Sequence, residues 1–165
     1  RVMVGPIPVG GGSVDIAHGR VGVPAPATLG LLEDYDIVGG PEMLELTTPT
    51  AFNGKKTQFP FPVPAMLVRS RLERWNAFAP FELPEALIRA ARDDLGVTSY
   101  SLRTQKISEG VRQAVGCMGK LSLRSLEMPP SLQVALNLLF VYAFYCGTGY
   151  HTTQGMGQTR LLKKE

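Results

Sequence analysis

Cysteine is scarce in this sequence, with only Cys117 and Cys146 present. Each sits among apolar residues without a metal-ligand or redox spacing. Both read as reduced core thiols of a cytoplasmic protein, with a structural disulfide as the alternative. Histidine is as scarce. His18 lies in a Gly-rich stretch with no second His or Cys nearby, so no metal site and no cofactor are expected. Long apolar runs are missing too. The longest, Leu132 to Cys146, is interrupted by Gln133 and Asn137. It falls short of the roughly 20 residues that span a bilayer, which favours a buried helix and no membrane association. No charged-then-apolar leader opens the chain, so no signal peptide is expected. The first residue is Arg1, which reads as a fragment, a processed product or an engineered piece.

What is present divides in two. Hydrophobic residues make up 44% and charged residues 19% of the 165 positions, which suits a soluble globular protein with a real core. The net charge of +3 is uneven. Residues 1–46 hold two basic and six acidic residues, a net of −4, whereas residues 47–165 hold fifteen basic and eight acidic ones, a net of +7. Only the second part has the sign expected of a polyanion binder. Residues 1–43 are also punctuated by Gly5-Pro6, Gly10-Gly11-Gly12 and Gly39-Gly40-Pro41, with no lasting periodicity. We therefore divide the chain into a loop-rich or poorly ordered appendage, 1–46, and a domain, 47–165.

From Leu44 onward the pattern becomes regular. Leu44 to Phe52 has the composition of a strand. Pro64 suits the first turn of a helix running from Ala65 to Phe78, with Val68, Leu72, Trp75 and Ala79 on one face and Arg69, Glu73 and Arg74 on the other. Pro80 ends it. A short helix is predicted within Pro84 to Asp94, then strands over Val97 to Ile107 and Val111 to Leu126, the second with an irregularity at Gly116 to Gly119. Pro129-Pro130-Ser131 opens an apolar helix through Tyr145, and Gly157 to Leu162 forms a last strand. The order strand, helix, strand, strand, helix, strand is that of an α+β, ferredoxin-like βαββαβ domain.

Between the last helix and the last strand lies Gly147-Thr148-Gly149-Tyr150-His151-Thr152-Thr153-Gln154-Gly155-Met156-Gly157, two Gly-x-Gly pairs flanking five residues. Glycine permits positive φ and lets backbone N–H groups approach an anion. Thr152, Thr153 and Gln154 offer hydrogen bonds to phosphate or sugar, and Tyr150 and His151 offer rings for base stacking. Gln158 and Arg160 follow directly. Lys55, Lys56, Arg69 and Arg74 supply further charge. These residues are the candidate RNA contacts. The alternative for the loop is a plain connector, and for each basic side chain a solvated face. A dinucleotide site is excluded, because that site needs a strand leading into a helix.

The run Cys146 to Gln158 closely resembles the terminal glycine-rich motif of the CRISPR-associated repeat-RNA endoribonucleases. Thr48 to Phe52, Phe59 to Pro64 and Arg74 to Pro80 resemble the opening of that family's carboxy-terminal half. The resemblance covers about residues 47–162. It implies a ferredoxin-like fold, binding of the CRISPR repeat hairpin, and metal-independent cleavage in which a 2′-hydroxyl attacks the adjacent phosphate. In that family the catalytic His comes from an amino-terminal domain, and the five-residue insert carries Lys or Arg. Here the insert carries His151, so the resemblance supports RNA binding better than cleavage.

Residues 6–50 are similar to a different family. Pro8 to Val14, Ala17-His18-Gly19, Val23 to Leu32 and Glu45 to Thr50 resemble the nickel-insertion proteins of the lactate-racemase pincer cofactor. The two resemblances overlap at Thr47 to Thr50, which points to a chimera joined there. The leading reading is an RNA-binding module. A metal-independent endoribonuclease would use His151 as acid or base, assisted by Tyr150, Tyr145 or Lys120. An interaction module would bind a CRISPR effector protein or a toxin-like partner. A nickel-cofactor maturation fragment is the remaining alternative.

Overall fold

The computed structural model describes residues 42–54, 57–79, 81–109 and 112–162. Residues 1–41, and with them most of the appendage and His18, lie outside the described residues, as do Lys55, Lys56 and Pro80. Strand β1 (Glu42–Thr50) is followed by the short strands β2 (Phe52–Asn53) and β3 (Gln58–Phe59). Then come helices α1 (Pro64–Phe78) and α2 (Ala86–Asp94), strands β4 (Leu95–Glu109) and β5 (Arg112–Ser125), helix α3 (Pro130–Cys146) and strand β6 (Thr159–Leu162). The four long-range strands pair antiparallel in the order β4-β5-β1-β6, and β2 pairs with β3 as a separate ribbon. That order is the ferredoxin-like arrangement. Its first strand draws Glu42 to Leu46 from the stretch that charge assigned to the appendage.

The strands alternate as a half-covered antiparallel sheet must. Leu44 and Leu46 on β1, and Leu121 and Leu123 on β5, are fully buried in one cluster with Leu67, Leu72 and Trp75 of α1, Leu87 of α2, and Leu136, Leu139 and Phe140 of α3. Leu44 lies opposite Leu121 in register, so these leucines share the face that the helices cover. Their neighbours Met43, Lys120 and Arg124 stay exposed on the other face. Each fully buried leucine contributes about 1.5–3 kcal/mol of transfer free energy.

The expected helix face of α1 is buried at Val68, Leu72 and Trp75. Ala79 instead adopts an extended backbone (φ −78°, ψ 158°) while its N–H still reaches the Trp75 carbonyl, as the residue before a proline is driven to do. A side-chain clamp then fixes the connection to α2. Asn76 donates to the Leu83 carbonyl at 3.0 Å and accepts from the Leu83 N–H at 2.8 Å. The Trp75 indole donates to the Phe81 carbonyl at 3.0 Å.

The irregularity expected at Gly116 to Gly119 is real on one side only. Pairing of β5 with β4 runs through these residues unbroken, and the shift there falls at Val97/Ser99. On the other side, β1 shifts register between Leu46 and Thr50, opposite Gly119 and Cys117. Gly119 has φ +127°, and a Cβ there would collide with the Ser101 carbonyl. Both cysteines are free. Burial pushes the Cys117 thiol up to about 11. No described helix is long and apolar enough to cross a membrane.

The sheet core yields a direct test. Leu121→Ala is expected to lower unfolding free energy by about 2–5 kcal/mol. Leu126→Ala, at a site 72% exposed, should shift it little. Urea denaturation followed by far-UV circular dichroism reads both, and equal midpoints for the two variants would contradict the assignment of the core.

Candidate nucleic-acid interface

Helix α1 carries the loop. On its loop-facing side it places Ser70, Arg71 and Arg74 within two turns. The Ser70 hydroxyl accepts from the Gly149 N–H at 2.7 Å. Arg74 donates to the Gly149 carbonyl at 2.5 Å and to the Thr152 hydroxyl at 3.3 Å, and it closes back on the Ser70 carbonyl and hydroxyl at 2.8 and 2.6 Å. Arg71 is fully buried. Its Nε and Nη2 donate to the Thr148 hydroxyl at 3.3 and 3.1 Å, and its guanidinium lies 4.4 Å from the centroid of the Phe140 ring. Among the described residues, Nη1 of Arg71 has no hydrogen-bond partner. Burial lowers the Arg71 pKa to about 10, against an opposing pull from the nearby Cys146 thiol. The Thr159 hydroxyl, 2.9 Å from that of Thr148 and 3.0 Å from the Gly157 carbonyl, completes the buried network.

The glycines serve this packing. The N–H groups of Gly147, Thr148, Tyr150 and Gly157 donate to the carbonyls of Ala143, Gly157, Ala51 and Pro49 at 2.8–3.0 Å. The protein's own acceptors thus occupy these amides, which the sequence offered as an anion cradle. A Cβ on Gly149 would overlap the Ala51 carbonyl, and one on Gly157 the Thr148 carbonyl. Both have positive φ, +80° and +71°. Gly155, at φ +86°, faces open space. His151 is the one described non-glycine residue with positive φ, at 52°. Such a conformation is sparsely populated by side-chain-bearing residues and clusters at functional sites.

Beside the loop lies an open cleft of about 510 Å³ between α1, β2 and Gly149 to His151. Met66, Arg69, Ser70, Glu73, Arg74, Ala77 and Phe78 of α1 line one side. Phe52, Asn53, Gly149, Tyr150 and His151 line the other. Tyr150 and His151 stack on each other, with ring centroids 3.4 Å apart and an interplanar angle of 26°.

The structure thus brings Arg69, Arg74, Gly149, Tyr150 and His151 together, and treats the other candidates differently. Thr153, Gln154 and Gly155 are exposed on the outer turn of the loop, with Thr152 half-buried beside them. Gly147 and Gly157 are buried beneath it. Gln158 is tied down. Its N–H donates to the Thr48 hydroxyl at 2.8 Å, its carbonyl accepts from Thr47 at 2.9 Å and its side chain reaches the Phe144 carbonyl at 3.3 Å. Arg160 is paired with Glu45 at 2.5 Å across β6 and β1. Lys120 and Tyr145, suggested as catalytic assistants, do not line the cleft.

Sequence reasoning missed Ser70, Arg71, Glu73 and Phe78. Arg71 had a usable signal, since it falls at i+3 from Val68 and i−4 from Trp75, inside the apolar stripe.

If the glycines act by close approach of the chain to itself, two neighbours must respond differently. Gly157→Ala should lower stability by more than about 2 kcal/mol, since strain at positive φ adds to a backbone clash. Gly155→Ala should cost only about 1 kcal/mol. Thermal denaturation reads the pair, and equal small losses would mean that the loop is loosely packed.

Comparison with known proteins bears on both parts of the chain. Residues 1–70 match the family model of the nickel insertion protein. A putative nickel insertion protein of Methanothermobacter thermautotrophicus is 40% identical over 78 residues, which cover 47% of this chain and 16% of that protein. The pyridinium-3,5-bisthiocarboxylic acid mononucleotide nickel insertion protein of Geobacillus kaustophilus is 42% identical over 69 residues, 41% of this chain and 17% of that one. Among solved structures, Thermus thermophilus Cas6 has a TM-score of 0.69 at 29% identity, covering 79% of this chain and 57% of that one. A Cas6 substrate mimic complex has a TM-score of 0.68 at 29% identity, covering 74% and 53%. The chain therefore spans about half the length of the Cas6 chains and about a sixth of the nickel insertion proteins it matches. Matched by the model of the CRISPR-associated endoribonuclease Cas6 over residues 44–159, the chain belongs to that family.

Proposed function

We propose that residues 42–162 form an RNA-binding module that holds CRISPR repeat RNA against the outer turn of the glycine-rich loop and the adjoining cleft. The observation that carries this reading is the convergence of Arg69, Tyr150 and His151 on one open cleft beside the family's own motif. Aromatic faces suit unstacked bases, and Arg69, exposed on α1, suits a phosphate. Thr152, Thr153, Gln154 and Gly155 are placed to contact the backbone of a strand passing over the loop. The glycines Gly147, Gly149 and Gly157 contribute by holding that surface in shape. Lys55 and Lys56, which fall between Asn53 and Gln58 in the sequence, are further candidate contacts in this reading. Gln158 and Arg160 would extend the contact only by giving up their present partners. The module acts in the cytoplasm in this reading.

Cleavage is a second reading, favoured by the position of His151 in the cleft. A 2′-hydroxyl attack on phosphate needs a proton acceptor within hydrogen-bond reach, and imidazole is suited to that role near neutral pH. A protein partner, either a CRISPR effector component or a toxin-like protein, is favoured by the exposed Phe144–Tyr145 pair, whose rings meet edge to face at 5.3 Å.

Fluorescence anisotropy with a repeat-hairpin RNA, with chelator present, separates these. Three or four phosphate contacts should weaken binding roughly tenfold to a hundredfold between 50 and 200 mM salt. His151→Ala should abolish any cleavage while leaving most of the affinity. Absence of affinity at low salt would overturn the RNA-binding reading, and cleavage surviving in His151→Ala would remove His151 from the chemistry.

A further inference from the structure

The cleft holds one group that phosphate binding does not explain. Arg69 and Glu73 stand one turn apart on α1, both exposed and both lining the cleft. Among the described residues, no hydrogen bond or ion pair engages the Glu73 carboxylate. The adjacent Arg74 does not pair with it, because its guanidinium is committed to Ser70, Gly149 and Thr152. A free carboxylate repels phosphate. It offers two acceptor oxygens side by side and no donor. Of the four RNA bases, guanine alone presents two adjacent N–H donors, N1–H and N2–H, on its Watson–Crick edge. The rest of the lining suits a base as well, since Phe78 and Tyr150 supply apolar, aromatic surface. The volume, about 510 Å³, admits a single nucleotide rather than a helix.

We propose that this cleft is a pocket for one unpaired guanine, with Glu73 accepting N1–H and N2–H, the aromatic side chains stacking on the base and Arg69 taking the flanking phosphate. The inference rests on the RNA-binding reading and adds to it the base that is selected. It also assigns Glu73 a specificity role that no net-charge argument would give it, because an acidic residue here weakens non-specific binding.

The test uses the full chain and short uridine oligoribonucleotides carrying one central guanosine, inosine or adenosine. Inosine keeps N1–H but lacks the N2 amino group. The guanosine oligomer should bind at least about tenfold tighter than the adenosine one, with inosine between them. In Glu73→Ala, an exposed helical site where alanine is well tolerated, that preference should fall below about twofold. Affinity for the adenosine oligomer should hold or rise, since a negative charge has gone. Salt-sensitive affinity without a guanosine preference would overturn the guanine pocket and leave RNA binding standing. A preference that survives Glu73→Ala would overturn the role of Glu73. No affinity for any oligomer would overturn the pocket, and the hairpin titration decides the RNA-binding reading separately.

Discussion

The glycine-rich loop keeps its shape because one helix grips it from the side. Ser70 takes the Gly149 amide, Arg74 takes the Gly149 carbonyl and Thr152, and Arg71 reaches Thr148 from within the core. The loop's remaining inward amides close on Pro49, Ala51 and the loop itself. A buried guanidinium with one unpartnered nitrogen is costly, since removing its charge from water is repaid only by good partners. The Thr148 hydroxyl and the Phe140 ring are those partners, and both exist only when α1, α3 and the loop are correctly assembled. The network therefore couples the folding of the sheet-and-helix layer to the geometry of the surface that the loop presents.

That bracing reassigns chemistry along the loop. Its inner half is structural, and its outer half and the neighbouring cleft carry what is left for a ligand. The cation supply narrows in the same way. Arg71 is internal, Arg74 is a brace and Arg160 is paired with Glu45. The net positive charge of the domain thus overstates the charge available at the site, and Arg69 stands out beside the cleft.

Much of the fold was legible in the residues. The Val68–Leu72–Trp75 stripe carried a period that survives in the structure, because burial on one face leaves such a pattern. The loop was legible as a motif but not as a mechanism. Glycine spacing says that the backbone comes close to something, and it does not say whether that something is a phosphate or the chain's own carbonyls. Arg71 was missed because a charged residue in an apolar stripe reads as an exception until its partners, 77 residues away, are known. The β1 register shift escaped for a similar reason, since it depends on which residues of β5 lie opposite. Two family models match the chain in succession, and their matched regions, 1–70 and 44–159, share residues 44–70.

The most direct measurement is residue-resolved amide hydrogen exchange across the loop, in the free protein and with single-stranded RNA bound. If the loop is braced by its own hydrogen bonds, the amides of Thr148, Gly149, Tyr150 and Gly157 are protected in the free protein, and RNA leaves that protection unchanged. Amides that exchange freely in the absence of RNA and gain protection only when it binds would be contacting phosphate, and would contradict the account.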